Sequence, residues 1–237
     1  MKRFVFALLW LCSCVAISNA ANVYVTTTGV DAQDGLSWAT AKSSIQAAVD
    51  LATDGDTVFI AEGVYNQVVK VKKSVHIFGG YVATTGERNP ELYHTILDGT
   101  NLNTTLLTQS SAFKDTTYFD GLILQNASHT SAGGAVVLKA KGVLRNATIR
   151  NCYTEGNAGG VSNAGGVVSC CIIELCEAIG SGGAVHNMGG VVENTIIRGC
   201  KGNYAAIRNE SQGIVRNCLL HNNEPSNSAW PNSGGIY

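Results

Sequence analysis

The stretch Gly142–Cys152 reads GVLRNATIRNC, and three later stretches repeat its chemical pattern: GVVSCCIIELC at 166–176, GVVENTIIRGC at 190–200 and GIVRNCLLHNN at 213–223. These stretches begin 24, 24 and 23 residues apart. Self-similarity at a fixed period of this length indicates stacked repeats, in which each unit buries its apolar face only against its neighbours. The short β-branched runs separated by Gly and Asn suit strands joined by turns and are too short for helices.

The period also predicts the architecture. A turn of ~24 residues accommodates three short strands and their corners, so we predict an all-β parallel β-helix, a solenoid of ~23–26 residues per coil with coils stacked ~4.8 Å apart. A leucine-rich repeat has a similar period, but its Leu-x-x-Leu-x-Leu frame is missing from this sequence. The final Gly234–Tyr237 (GGIY) resembles the GGAV that introduces earlier repeats. We therefore expect a stack that is truncated at its C-terminus.

The first twenty residues carry the parts of a secretory signal. Basic residues stand at positions 2 and 3, an apolar run covers 4–17, and small residues lead to a cleavage site after Ala20. We predict a signal peptide over 1–20 and a secreted or outer-surface protein. Lipid attachment at Cys14 is a minor alternative, because residues 11–14 loosely resemble a bacterial lipobox. Cleavage would leave six of the eight cysteines in an oxidising compartment.

The N-terminal half is predicted to close the stack. We assign residues 21–100 to a cap and the first coils, and residues 101–237 to the β-helix repeats. A short amphipathic α-helix should begin after Ser43 or Ser44, with apolar residues at helical spacing on one face. Such a helix would cover the open end of the solenoid, which otherwise exposes apolar core and unpaired strand edges.

Several motifs in this half occur in a fixed order: Gly35–Ala41 (GLSWATA), Ser44–Ala52 (SIQAAVDLA), Gly55–Tyr65 (GDTVFIAEGVY), Ser74–Val82 (SVHIFGGYV) and Thr95–Gly99 (TILDG). Together they resemble the N-terminal region of secreted bacterial right-handed parallel β-helix proteins of the pectate-lyase-like superfamily. The GGA-type motifs are similar to repeats of polymorphic outer-membrane proteins, although the FxxN element of those repeats lacks its Phe here. The resemblance implies a right-handed coil, but this superfold carries lyases, hydrolases and adhesins alike.

Composition and charge exclude several classes of protein. An apolar content of 45% with only 14% charged residues excludes a disordered chain. A formal net charge of −1 excludes a strongly basic nucleic-acid binder. No long apolar run follows the signal, so no transmembrane helix is predicted there. The partners left open are a polysaccharide and a host or cell-surface molecule, with no cofactor.

Stacking turns equivalent positions into columns of side chains. Two columns are predicted to be structural, an amide ladder at a corner and a thiol column: Asn146, Asn194 and Asn217 in the first, and Cys152, Cys176 and Cys200 in the second, with Asn126 before them. Neighbouring coils would permit one disulfide in the thiol column. We favour a ladder of small buried thiols. No metal site is predicted, because no His or CxxC partner stands at ligand spacing.

The sequence offers no catalytic residue. A β-helix glycosidase needs paired carboxylates, and a calcium-assisted lyase needs clustered acidic oxygens with a base nearby. From residue 133 onward there is no Asp, and the Glu residues do not pair in neighbouring coils. The best candidate is a binding surface formed by a charged column and an apolar stripe beside it: Arg150, Glu174, Arg198 and His221 in the column, and Ile172 and Ile196 in the stripe.

Two functions remain open. The first is an adhesion or glycan-binding module without catalysis, which the stacked columns and the missing acidic constellation favour. The alternative is a polysaccharide lyase or glycoside hydrolase that acts on acidic polysaccharides, and calcium would be a cofactor only in that case. A salt-bridged ladder that merely solvates its face is the non-functional interpretation of the charged column.

Overall fold

The computed structural model describes residues 20–130, 133–203, 206–226 and 234–237. Over these residues the chain winds into a parallel β-solenoid of about seven turns with one α-helix, which confirms the predicted all-β parallel β-helix. The predicted signal peptide, including Cys14, lies outside the described residues except for its last position.

The strands stack into four parallel sheets that form the sides of the solenoid. Sheet 1 contains β1 (Asn22–Val25), β2 (Thr57–Ala61), β5 (His76–Tyr81), β8 (Thr117–Asp120), β12 (Gly142–Arg145), β16 (Val167–Ser169), β20 (Val191–Glu193) and β24 (Ile214–Arg216). Sheet 2 contains β3 (Gly63–Tyr65), β6 (Thr95–Asp98), β9 (Leu122–Gln125), β13 (Thr148–Arg150), β17 (Ile172–Glu174), β21 (Ile196–Arg198) and β25 (Leu219–His221).

The other two sheets complete each coil. Sheet 3 contains β10 (Ser128–His129), β14 (Tyr153–Thr154), β18 (Glu177–Ala178), β22 (Lys201–Gly202) and β26 (Glu224–Pro225). Sheet 4 contains β4 (Val69–Val71), β7 (Leu107–Gln109), β11 (Val136–Lys139), β15 (Val161–Ala164), β19 (Val185–Met188) and β23 (Ile207–Glu210). The two-residue strands of sheet 3 were not among the three strands per coil that the period suggested.

The alternation of side chains along each strand builds a continuous core. In sheet 2 the central residues Ile149, Ile173 and Ile197 are fully buried and stack in register. Their neighbours along the strands, such as Thr148 and Arg150, are only half-buried and face outward. Successive residues of a strand point to opposite faces of the sheet, so one face of every coil joins the core and the other meets solvent.

Two corners flank sheet 2, and each turns at a single residue with positive φ. The corner from sheet 1 is formed in successive coils by Gly121, Asn146, Cys170, Asn194 and Asn217, with φ between 49° and 71°. Asn tolerates this left-handed conformation better than most residues with a Cβ. The asparagines of this corner are exposed, and among the described residues no side-chain hydrogen bond joins one to the next. The amide ladder expected here therefore does not form.

The second corner, after sheet 2, corrects one predicted alignment. Asn126 has a φ of 58° and stacks with Asn151, whose φ is 54°. The register of β10 with β14 then places Ala127, not Asn126, before Cys152 in the thiol column. The reason is that this coil is 25 residues long (Ala127 to Cys152), one more than the repeats that follow it.

An amide ladder exists instead inside sheet 4. Asn163 Nδ2 donates to Asn187 Oδ1 at 2.8 Å, and Asn187 Nδ2 donates to Asn209 Oδ1 at 2.7 Å. Each Nδ2 also donates to a backbone carbonyl near the start of the following sheet 1 strand, Gly190 for Asn187. A Cβ on Gly190 would lie 2.2 Å from Asn163 Nδ2. Gly190, and Gly213 in the next coil, thus leave room for the ladder.

The cap has the predicted helix. The helix α1 (Ile45–Leu51) is capped at its N-terminus by Ser44, whose side chain accepts a hydrogen bond from the Ala47 backbone amide at 3.0 Å. Ile45, Ala48 and Val49 are buried, and the helix packs against β1, β2 and β4. This is the apolar face that the sequence pattern assigned to the end of the stack.

The sheets run through residue 100 without a break, since β6 pairs with β9, so the predicted boundary separates sequence patterns within one stack. At the other end, Asn209 N donates to Tyr237 O at 2.8 Å, and Ile207 pairs with Ile236. The final GGIY therefore begins to pair as a further strand of sheet 4. Within the described residues no helix is long and apolar enough to cross a bilayer.

Candidate functional site

The outer face of sheet 2 carries an apolar stripe along the solenoid axis. Strand register aligns its members in one column over seven coils: Val64, Ile96, Ile123, Thr148, Ile172, Ile196 and Leu219. Ile172 and Ile196 are half-buried, whereas Val64 and Leu219 are 59% and 57% exposed. An apolar stripe of this length, interrupted by Thr148, is the kind of surface on a solvent-facing sheet that ligands or partners cover.

A polar stripe runs beside it, two residues further along each strand. It contains the predicted column and extends it toward the cap: Asp98, Gln125, Arg150, Glu174, Arg198 and His221. The sequence prediction therefore placed four consecutive residues of this stripe in their observed register.

Most charged side chains of the polar stripe form hydrogen bonds with their neighbours along the stack. Arg198 donates to Glu174 Oε2 through Nε at 2.7 Å and through Nη2 at 2.5 Å. Arg150 instead donates to Gln125 Oε1 at 2.9 and 2.7 Å. Hydrogen bonds from Thr100, Gln125 and Asn126 outweigh the opposing effect of burial and lower the pKa of Asp98 to about 2. In place of the salt-bridged ladder of the non-functional interpretation, the column therefore contains an Arg198–Glu174 pair and a separate Arg150–Gln125 contact.

A groove of about 750 Å³ lies where the apolar stripe meets the corner from sheet 1. Its floor includes Ile123, Thr148 and Ile172 from the stripe, with Asn146 and Cys170 from the corner. Its wall is the connection between β5 and β6, residues 82–94, which contributes Arg88, Asn89, Pro90, Glu91 and His94. Other coils pass from sheet 1 to sheet 2 in one or two residues, so this insertion is what converts a flat face into a groove.

A buried carboxylate fixes the groove wall to the sheet. Asp120, with 2% of its side chain exposed, accepts from Arg88 Nη2 at 2.6 Å and from Arg145 Nε at 2.5 Å. Arg88 Nε also donates to the Gly79 carbonyl at 2.9 Å. Burial alone would raise the pKa of Asp120, but the hydrogen bonds from Arg88 and Arg145 outweigh it and hold the pKa below its ordinary value.

An aromatic cluster on the outer face of sheet 1 supports the same arginines. The Arg88 guanidinium lies 5.4 Å from the ring centre of Phe78 and 5.6 Å from that of Tyr81. The Arg145 guanidinium lies 4.4 Å from the ring centre of Tyr118. These cation–π contacts and the shared carboxylate keep both arginines close to the sheet, so the wall holds a defined position.

The predicted site residues are only partly brought together. Ile172 lies in the groove, whereas Glu174, Arg198 and His221 line a separate hollow of about 240 Å³ at the second corner. Arg150 and Ile196 line neither space. Sequence reasoning missed the groove wall, although the irregular segment 82–94 between two predicted strands was visible as a departure from the repeat.

The groove has an apolar floor and a polar wall with few ionisable side chains. Glu91 is the one carboxylate among the described residues that line it, whereas glycoside hydrolysis normally uses two. In the part of the chain that the structure describes, no group of three or more His, Cys, Asp and Glu side chains is arranged to hold a metal ion. The apolar floor and the polar wall of the groove can together bind a chain that has apolar faces and polar edges.

The six cysteines after residue 20 are free thiols in the structure. Cys152, Cys176 and Cys200 are at most 1% exposed and occupy neighbouring coils of the thiol column. Contacts with the thiols of Cys152 and Cys200, together with burial, raise the pKa of Cys176 well above its ordinary value. Burial raises the pKa of Cys171 to about 12. Cys170, by contrast, is exposed in the groove.

We expect a thiol reagent such as DTNB to modify native protein first at Cys170, at least ~100-fold faster than the buried thiols, because a buried, protonated sulfur is neither accessible nor nucleophilic. Stopped-flow absorbance time courses would measure the fast and slow phases of thiol modification. Cys170→Ser should remove the fast phase, whereas Cys176→Ser should leave it intact. A fast phase that survives in Cys170→Ser/Cys218→Ser would contradict the assignment, because Cys218 is the other cysteine after residue 20 that is not buried.

Comparisons with protein-family models, with curated proteins and with solved structures found no match for this chain.

Proposed function

We propose that this protein is a secreted or surface-displayed module that binds a glycan chain along the outer face of sheet 2 and does not cleave it. The observation that carries the proposal is the groove of about 750 Å³, with an apolar floor and a polar wall. Its size is within the range of small-molecule sites, and its floor continues as the apolar stripe beyond Ile172 toward Ile196.

The chemistry of a sugar chain matches this arrangement. A pyranose presents apolar C–H faces, which the floor of Ile123 and Ile172 can cover, and hydroxyl groups at its edges. The wall supplies donors and acceptors at that level, including Asn89, Glu91 and His94. Asp120 neutralises Arg88 from below, so the groove offers hydrogen bonds without a strong net charge. A neutral or weakly charged glycan fits it better than a densely charged one.

The orientation of the groove supports a chain rather than a single sugar. The apolar stripe runs along the stacking direction, and successive coils of parallel strands lie about 4.8 Å apart. A pyranose ring is about as long as one such step, so successive sugars would meet equivalent positions of successive coils. Repeated contacts of this kind give affinity that grows with chain length.

A glycan array followed by calorimetry on the best ligand tests this proposal. Ile172→Asn should raise the Kd at least ~10-fold, because it places an amide in the apolar floor. Val191→Asn is the matched control, since Val191 is a half-buried outward residue of sheet 1 outside the groove, and it should leave the Kd unchanged. Arg150→Ala/Arg198→Ala should have a smaller effect, because both arginines lie outside the groove.

Absence of binding to every member of the array would contradict the proposal, as would an equal loss in Ile172→Asn and Val191→Asn. The lyase alternative is examined with acidic polysaccharides, with and without calcium, by the ultraviolet absorbance of unsaturated uronate products. If wild-type protein forms that product, the protein is a lyase, and the proposal of binding without cleavage is wrong.

A further inference from the structure

The two kinds of basic residue are used differently in this molecule. Each of the six arginines after residue 20 donates to a side-chain acceptor, a carboxylate in five cases and an amide in the sixth: Arg88, Arg145, Arg198, Arg208 and Arg216 to carboxylates, and Arg150 to Gln125. Among the ion pairs of the described residues, Lys201–Glu224 is the one that involves a lysine. The remaining lysines of the described residues are not paired with a carboxylate, and Lys42 is the one of them that is buried.

Most of those lysines lie at one edge of the solenoid. We define the lysine ridge as five residues on sheet 4 and on the turns that lead from it to sheet 1: Lys70, Lys72, Lys114, Lys139 and Lys141. Three consecutive coils contribute to it, because β4 pairs with β7 and β7 pairs with β11. A chain with a net charge of −1 thus concentrates positive charge on one edge near its cap.

Local contacts hold the ridge together. Lys70 is exposed on β4, and Lys72 is exposed directly after the strand, on the other side of the buried Val71. Lys139 Nζ donates to the Ser110 carbonyl at 2.7 Å, and the Thr117 backbone amide donates to the Lys141 carbonyl at 2.8 Å. The turn between those two contacts, 110–117, carries the exposed Lys114.

A hollow of about 450 Å³ lies beside the ridge, between α1 and β4. Lys70, Lys72, Thr104 and Gln46 line it, together with the carboxylate of Asp50. Asp50 accepts a hydrogen bond from Gln46 Nε2 at 2.8 Å, and Asp115 adjoins Lys114 in the sequence. With both carboxylates counted, five lysines against two acids leave an excess of three positive charges.

From this arrangement we propose that the lysine ridge is a second binding site, separate from the groove on sheet 2, and that its ligand is an acidic polysaccharide, a chain of carboxylated or sulfated sugars. Lysine supplies a hydrated point charge on a flexible stem, which suits charged groups on a flexible chain. Lys72 and Lys139 share one column two coils apart, with Ser110 between them, so they lie ~10 Å apart along the stack and acidic groups of one sugar chain could meet both.

Other polyanions fit the ridge less well. None of the exposed large apolar side chains of the described residues lies on β4, β7 or β11, so a membrane surface would find no apolar anchor on these strands and only Leu51 at the end of the neighbouring α1. Phe113, the aromatic residue of the 110–117 turn, is 8% exposed, so the ridge offers no ring on which unpaired bases could stack. An acidic polysaccharide needs neither feature.

The test is binding of full-length protein to polygalacturonate and to a sulfated glycan, compared with neutral dextran, over a series of salt concentrations. Wild-type protein should bind both acidic chains and not dextran, and binding should weaken as salt rises. Lys70→Gln/Lys72→Gln/Lys114→Gln should weaken binding at low salt at least ~10-fold. None of these three side chains makes an ion pair that the substitution would break.

A charge-matched control separates a local site from general attraction. Lys201→Gln/Gln212→Glu/Ser226→Glu lowers the net charge by the same three units at exposed positions far along the stack, and it should retain wild-type affinity. Equal losses in both triple variants would overturn the proposal. Tighter binding of wild-type protein to phosphatidylserine vesicles or to DNA than to the acidic glycans would also overturn it. Ile172→Asn should retain this binding, so the groove and the ridge are tested independently.

Discussion

Asn187→Leu is expected to lower the free energy of unfolding by about 3 kcal/mol. Asn187 is fully buried, accepts from Asn163 and donates to both Asn209 and the Gly190 carbonyl. Leucine has a similar volume but leaves donors and acceptors of neighbouring coils without partners in an apolar interior, where each costs about 1–3 kcal/mol. Urea denaturation followed by circular dichroism would measure the change.

The ladder as a whole should behave differently from its middle member. Leu138 stands in the same column one coil earlier, so leucine fits this position of the fold. Replacing all three amides, Asn163, Asn187 and Asn209, by leucine should therefore cost less than the sum of the three single substitutions, because no side-chain amide of the ladder then faces a leucine, although the Gly166 amide loses its acceptor Asn163 Oδ1. Asn22→Ala, which removes an exposed amide, should change the free energy by less than about 0.5 kcal/mol. A triple variant that costs as much as the sum of the three single variants would refute the coupling within the ladder.

Asp120→Asn is expected to destabilise the protein by about 2–3 kcal/mol at neutral pH and to weaken ligand binding in the groove as well. The carboxylate is buried and joins Arg88 to Arg145, and loss of one member of a buried charge cluster is costly. Release of Arg88 also frees the groove wall, segment 82–94. Unfolding curves and calorimetry on the same variant would report both effects.

The pH dependence of this effect has a definite sign. The pKa of Asp120 is lower in the folded protein than its ordinary value of 3.8, so the ionised form stabilises the fold. This contribution is complete above pH 3.8 and is lost as the pH falls through the folded pKa. The stability difference between wild type and Asp120→Asn should be largest near pH 7 and should shrink below pH 3.8. A difference that grows on acidification would contradict the assignment.

Glu193→Gln provides the matched control for Asp120→Asn. Glu193 lies in the same outward column of sheet 1 and pairs with Arg216 at 2.6 Å. That pair is largely exposed, with 62% of the arginine side chain accessible, so its loss should cost less than about 1 kcal/mol. Equal destabilisation by both variants would show that burial of Asp120 has no special role.

Much of the fold could be read from local patterns. The 24-residue period placed Ile149, Ile173 and Ile197 in one buried column, and alternation placed Arg150 and Glu174 outside them. These predictions hold because a parallel stack converts sequence period directly into register. The asparagines also located the corner column, but the predicted hydrogen-bonded ladder was wrong. These residues adopt positive φ and face solvent.

The candidate site depended on features that have no period. The groove wall comes from an insertion that returns to contact Asp120, a residue 32 positions after Arg88, and no local pattern specifies where such a segment folds back. The lysine ridge likewise joins positions from 70 to 141, which are neighbours only because three coils of unequal length stack. Their irregular spacing hid this cluster from column alignment.

The sequence by itself therefore determined the solenoid, its core columns, its capping helix and the outward stripes of sheet 2. Each of these follows from short-range physics: side-chain alternation, a fixed period and helix capping. Only the tertiary structure decided which stripe became a groove, which arginines were paired with carboxylates and which lysines were not. Those outcomes depend on distances between residues far apart in the chain, and burial and charge pairing are set by such distances.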